Sequence, residues 1–389
     1  MTLPQLAWRN LRGAGIRTWL NSFALSLAFV AIIFGQGLLQ GVNRQAENAS
    51  IQFEVGGGQF WQKDYDPYDP LTIDDAHSEI PEQLGQLIAH GLAVPILIIP
   101  GSIYSRGRIL PVQIKGIIPG QKVLLLPTQP LADTTEELPV LLGARMAKSV
   151  GVEVGDYITV QWRDAEGAFD AREAKVVKIM VTSVGTVDEG QVWVPLDRLQ
   201  ELTGFKGEAT LITVSKGFAE NINVTGWVFR PSEFLLRDLR QMISMKTAGQ
   251  SIFFIVLFLL AMLAIFDTQV FSIFRRKREI GMLIALGMTR AQVILLFTLE
   301  GAFYGALAAI LGAIYALPLF AYLNAHGIAM PGGSSWGFAL EERLYPAYSS
   351  GLILGTTLLV LIAATLVSWL PTRRIANLKP TDALRGKSL

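Results

Sequence analysis

The stretch IFFIVLFLLAMLAIFDTQVFSIF, residues 252–274, decides what kind of molecule this is. It carries one acid, Asp267, and no lysine or arginine. At a helical rise of about 1.5 Å per residue it is long enough to cross a hydrocarbon core about 30 Å thick. Working outward, three more blocks have the same character. WLNSFALSLAFVAIIFGQGLL covers Trp19–Leu39, a longer block covers Val293–Tyr322, and LILGTTLLVLIAATLVSWL covers Leu352–Leu370. The third exceeds a minimal span, so tilt or an extension beyond the bilayer is expected. Arg9, Arg12 and Arg17 before the first block also fit a signal-peptide layout. That block outruns an ordinary signal core and no A-x-A site follows it, which favours a retained helix.

Composition agrees. Of 389 residues 51% are hydrophobic and 17% charged, below the quarter usual in soluble domains. Mean hydropathy is +0.40. The net charge of +1 offers no footprint for a nucleic acid. The chain has no cysteine, which excludes disulfides, thiolate metal sites and cysteine nucleophiles.

The expected fold class is therefore an α-helical membrane protein with four transmembrane helices plus an α+β extracytoplasmic (periplasmic) domain inserted between helices 1 and 2. The spans are set at 17–42, 251–274, 292–322 and 351–371. The inserted domain is set at 43–250. A segment at 1–16, a connection at 275–291, a short outer loop at 323–350 and a tail at 372–389 complete the division. Arg9, Arg12 and Arg17, then Arg275, Arg276, Lys277, Arg278 and Arg290, then Arg373, Arg374, Lys379, Arg385 and Lys387 all fall on one side if the helices alternate. Basic loops lie inside, so both termini and the connection are expected in the cytoplasm of a multi-pass cytoplasmic (inner) membrane protein.

Within 43–250, VPILIIP, ILPVQIKGIIP and KVLLLP read as β-rich runs punctuated by Pro and Gly. From Leu138 a strand, short helix, strand pattern follows. YITVQW, AKVVKIMVTSV and QVWVP are predicted strands, and LDRLQELTG is a helix stopped by Gly204. PSEFLLRDLRQMISM predicts an amphipathic helix leading into the second span.

No catalytic residue and no metal site is expected. His77, His90 and His326 are scattered without ligand spacing. Gly333–Gly337 (GSSWG) matches G-x-S-x-G but stands in a loop between spans rather than on a strand-to-helix elbow. Gly386-Lys387-Ser388 echoes the end of a P-loop, yet Thr381 stands where its first glycine is needed. If ATP drives the protein, another polypeptide hydrolyses it.

The connection FSIFRRKREIGMLIALGMTRAQVILLF, residues 271–297, places Ile280, Leu283, Ile284 and Leu286-Gly287 at helical spacing outside the bilayer. Such a stripe needs a protein or membrane surface to cover it. Arg278-Glu279-Ile280-Gly281…Ala285-Leu286-Gly287 resembles the signature of the MacB, LolC/LolE and FtsX class of ABC transporter permeases. Ala7–Arg12 with Arg17-Thr18 resembles the amphipathic N-terminal segment of that family. Leu142–Ala147 with Gly155-Asp156, Leu299–Gly301, and Pro371–Arg374 with Pro380 and Ala383–Arg385 resemble further parts of it.

The resemblance implies a dimer with a second permease, the same or different, and a separate ABC ATPase dimer in the cytoplasm. ATP and Mg would be bound by that ATPase and no cofactor by this chain. It makes 275–291 a coupling helix, with Arg278, Glu279, Ile280, Gly281, Leu283 and Gly287 as ATPase-coupling residues. It implies mechanotransmission, in layout closest to lipoprotein-release permeases, with a lipid, a lipoprotein, another hydrophobic substrate or a periplasmic adaptor as further partner. The alternative is a signalling subunit like FtsX that regulates an outer partner such as a cell-wall hydrolase.

Two acids lie at membrane depth. Asp267 is about 12 Å below Arg275 and Glu300 about 15 Å from Arg290 along their helices. Ionisable groups there are costly unless paired. The family tends to carry Asn where Asp267 stands. Gly301, Gly305 and Gly312 present small residues for helix packing.

Overall fold

The computed structural model describes the chain except residues 1, 14, 70, 133–136, 219–221, 330–342 and 377–389. The Gly333–Gly337 match, the Gly386-Lys387-Ser388 echo and the tail motif beyond residue 376 lie outside the described residues.

From the N-terminus run α1 (Leu3–Gly13), α2 (Ile16–Ser50), β1 (Gly58–Gln62), β2 (Ser78–Glu79), α3 (Glu82–Ala89), β3 (Ala93–Ser105) and β4 (Arg108–Ile117). Next come β5 (Leu138–Gly143), α4 (Ala144–Val150), β6 (Tyr157–Arg163), β7 (Phe169–Met180), α5 (Gly185–Asp188) and β8 (Gln191–Pro195). Then follow α6 (Leu196–Thr203), β9 (Glu208–Ala209), β10 (Leu211–Val214), β11 (Trp227–Pro231) and α7 (Ser232–Leu235). Four more helices follow: α8 (Arg237–Arg275), α9 (Lys277–Ala285), α10 (Arg290–His326) and α11 (Ser350–Ala376). Among the described residues four helices, those containing α2, α8, α10 and α11, are long and apolar enough to cross a membrane. Two units form, one of residues 1–43, 244–328 and 344–389, the other of 44–243 and 329–343.

The second unit is built on a nine-stranded sheet ordered β11-β1-β10-β3-β4-β8-β5-β7-β6. β6 also pairs with β3 at Gly101–Tyr104, closing β3, β4, β8, β5, β7 and β6 into a ring. A Cβ at Gly101 would lie 2.6 Å from the Gln161 carbonyl, so the closure needs glycine there. Side chains alternate across the sheet. Leu97, Ile99, Ile114, Val192 and Val194 face one core, where Leu196 and Leu199 of α6 join them. Ile96, Ile98, Leu141, Trp193 and Leu211 face the other. α6 forms because its leucines recur at helical spacing, and Gly204 ends it with φ +82°. Each fully buried large side chain here contributes about 1.5–3 kcal/mol.

The first unit is a helical bundle. α1 lies on α10 with Ala7 and Leu11 buried and Trp8 edge-on to Phe303 at 5.8 Å. α10 and α11 meet at small residues. A Cβ on Gly301 would come within 1.9 Å of the Ser368 hydroxyl, and one on Gly305 within 3.3 Å of Ala364. Gly312 faces α2 instead, with Phe29 and Val30 at 3.2 Å from its would-be Cβ. Buried hydroxyls on α11 are satisfied one turn back: Ser368 donates to the Ala364 carbonyl and Thr372 to that of Ser368, both at 2.7 Å.

Candidate functional site

The site is built around the break between α8 and α9. Arg276 is the N-cap of α9, with φ −96° and ψ 13°. Its Nε and Nη2 donate to the two carboxylate oxygens of Glu279, each at 2.7 Å. Its Nη1 donates to both oxygens of Glu300 on α10, at 3.0 and 2.9 Å. Its guanidinium carbon stands 4.8 Å from the centre of the Phe297 ring. Asn10 of α1 donates to Glu300 at 2.7 Å. One guanidinium fork thus joins α9 to α10, and Glu300 extends the network to α1. A lysine has no fork and could not hold both carboxylates in this way.

Glu300 is 5% exposed. Burying such a pair gains little net stability, but removing one partner strands the other charge. The Arg276 hydrogen bonds, helped by its charge, hold the Glu279 carboxyl below the usual carboxylate range against the opposing effect of burial. Beneath this network Ile273, Ile280, Val293 and Phe297 form a small apolar core. The turn into α10 is tight. Gly287 takes φ +99°, its amide donates to the Ile284 carbonyl at 3.0 Å, and Thr289 with Gln292 forms a capping box.

Residues 251–380 match the family described as FtsX-like permease C-terminal. An uncharacterized ABC transporter permease of Methanocaldococcus jannaschii is 22% identical over 253 residues, which cover 61% of this chain. The match spans 58% of the length of that relative. The extracellular domain of the noncanonic ABC-type transporter YknZ from Gram-positive bacteria aligns with 47% of this chain and 94% of its own, at 14% identity and a TM-score of 0.27. The family match and the relative support an ABC transporter permease. With four apolar helices, the chain is a multi-pass membrane protein.

The expected coupling residues divide by face. Ile280 is 3% exposed and packs with Ile273, Val293 and Phe297, and Gly281 is also buried. Leu283 is half-buried, while Arg278 and Gly287 are exposed. The outward face of α9 carries Arg278, Met282, Ala285 and Leu286, with Leu286 77% exposed. Glu279 looks inward to Arg276 and Glu300 outward from α10 to the same group, so the network brings these two together. Asp267 is not part of it. It is exposed on α8 and makes no hydrogen bond or ion pair among the described residues. The buried polar residue there is Gln269, at 2% exposure. Sequence reasoning missed Arg276, Asn10 and Gln269. The spacing of Arg276 and Glu279, three apart, was the one available signal, and it was hidden in a run of four basic residues.

Proposed function

We propose that the chain is the non-enzymatic permease subunit of an ABC transporter, driven by a separate ATPase that docks on the exposed face of α9. The observation that carries this reading is the Arg276 fork. It ties the short helix to α10 and through Glu300 to α1, so a push on α9 is passed to the bundle instead of bending a loop. The outward stripe Arg278, Met282, Ala285 and Leu286 is apolar with one cation, a surface suited to seating in a groove of another protein. The basic clusters support a cytoplasmic α9 and cytoplasmic termini, which puts residues 44–243 outside the inner membrane as the moving output. The substrate class is lipid-linked or hydrophobic, extracted or exported without a central aqueous channel by a dimer of permeases.

Tagged full-length chain should retain an ATP-hydrolysing subunit from its native membranes, and Met282→Asp with Leu286→Asp should lose it. Retention by the double variant, or no ATP-hydrolysing partner with the wild type, would overturn the docking role. Nucleotide-dependent release of a bound lipid or lipoprotein, identified by mass spectrometry, tests the substrate class separately.

A further inference from the structure

The sheet unit contains a cavity of about 1080 Å3 whose floor is one face of the sheet. Strand register places its residues. Ile98 pairs with Lys115, and Lys115 with Trp193, while Gln113 pairs with Gln191. Neighbours in register point to the same side, so Lys115, Trp193, Gln113 and Gln191 form a polar block on a face otherwise made of Ile96, Ile98 and Leu211. The register also puts Trp61 beside Leu211, and Arg230 beside Gln59. Tyr65 and Phe234 line the cavity as well, and the Tyr68 hydroxyl donates to Asp238 at its border.

Lys115, Gln191 and Trp193 of this block are buried, and several of the polar atoms here lack partners. Lys115 is 7% exposed, Gln191 4% and Trp193 2%. The Trp193 indole N–H, the Gln191 amide oxygen and the Arg230 Nε–H have no hydrogen-bond partner among the described residues. The Lys115 ammonium sits 5.4 Å from the centre of the Trp193 ring, with no carboxylate in ion-pair distance among the described residues. Burial pushes its pKa down, and only Glu54 acts against that. The other acids at the cavity, Asp64, Asp66, Glu189 and Asp238, are exposed. Native proteins seldom leave buried donors and a buried cation unmatched unless something else supplies the partner.

We infer that this cavity is a binding site for an amphipathic phosphate. The phosphate is received by the Lys115 ammonium, the enclosed Trp193 N–H and Gln191 amide oxygen turn to it on binding, and the apolar part lies over Trp61, Leu211 and Phe234. Arg230, 5.6 Å from the Trp61 ring and 4.7 Å from the Phe234 ring, offers its free Nε–H from the side. The volume exceeds what a free phosphate fills and lies just above the usual upper end of small-molecule sites, about 1,000 Å3. The site stands on sheet geometry alone and does not depend on the ATPase reading.

The test uses full-length protein in phosphatidylcholine nanodiscs, without nucleotide or ATPase, titrated calorimetrically with octyl phosphate, octanol and inorganic phosphate against empty discs. Coupling can therefore fail while binding stands, and the reverse. Octyl phosphate should saturate at one per chain and bind about tenfold or more tighter than either of the others. Lys115→Met should weaken it about tenfold while raising the melting temperature of the unliganded protein, because a buried unmatched cation is removed. A lysine that merely holds the fold would do the opposite. If Lys115→Met is recovered unfolded, Trp193→Phe, which keeps an aromatic ring of smaller size and removes the N–H, carries the test with a smaller loss. Octanol binding as tightly would leave only an apolar cavity. Inorganic phosphate binding as tightly would leave only an anion site. No saturable binding, or unchanged affinity in the folded variants, would overturn the inference.

Discussion

The bundle and the sheet unit both bury charges; the sheet unit pairs its buried Asp188 with Arg145 at 3.3 Å, but it treats Lys115 in the opposite way to Glu300 of the bundle. In the bundle Glu300 is enclosed by Arg276 and Asn10, and every oxygen it offers is used. In the sheet unit Lys115 is as deeply enclosed, yet it has an aromatic ring for company and open volume beside it. A charge enclosed between helices, unlike Asp267 on the exposed face of α8, has no outside partner to rescue it. Saturation inside the bundle is therefore a condition of holding shape. Beside Lys115 the sheet leaves an open cavity, so this cation has room for a partner that the described residues do not supply. The difference separates a group that holds from a group that receives.

The sharpest way to break this comparison is to remove one charge from each. Arg276→Met strands the Glu300 carboxylate and should cost about 3–5 kcal/mol, read as a large fall in melting temperature in nanodiscs. Adding Glu300→Gln should recover much of it, since the stranded charge is gone. Lys115→Met should move the other way. If both single variants shift stability in the same direction, the contrast between holding and receiving does not stand.

Packing in the bundle gives the next effect. Gly301→Val places a side chain against Ser368 where the Cβ alone comes within 1.9 Å, and should cost about 1–3 kcal/mol. Gly305→Ala, with 3.3 Å available to its Cβ, should cost clearly less. Equal losses would mean that α10 and α11 slide freely on each other. Gly287→Ala meets no atom within 4 Å, but its φ of +99° is strained for a side chain, so a loss of about 1 kcal/mol is expected.

The smallest effect concerns Glu279. Its folded carboxyl titrates below the ordinary value of 4.5. A depressed acid stabilises the fold above its unfolded pKa and loses that contribution as pH falls through the folded one. Wild-type melting temperature should therefore drop relative to Glu279→Gln only below about pH 4.5. A gap that persists unchanged at lower pH would show that the Arg276–Glu279 bond is not the source.

Local reading reached far in this chain. YITVQW and QVWVP form β6 and β8, LDRLQELTG forms α6 with Gly204 as its stop, and the apolar blocks form the long helices. These follow from short-range periodicity and capping. The ends of α2 and α8 were less legible, since both run into polar sequence, to Ser50 and from Arg237. Hydropathy marks what sits in lipid, while a helix continues as long as its backbone bonds do.

By itself the sequence determined that the chain enters a membrane, how many apolar helices it offers, and where several strands of the intervening segment lie, because each of these is a property of neighbours along the chain; KVLLLP, read as β-rich, forms no strand, and β10 and β11 were not read. Tertiary structure alone decided which way Ile280 faces, that Asp267 stays unpaired while Glu300 meets Arg276 and Asn10, and that Lys115, Gln191 and Trp193 share one face. Glu300 lies 24 residues from Arg276 and 290 from Asn10. Lys115 meets Trp193 only through a parallel strand pairing. No pattern within a window of sequence encodes a partner at such separation, because the fold, rather than the spacing, sets the distance between them.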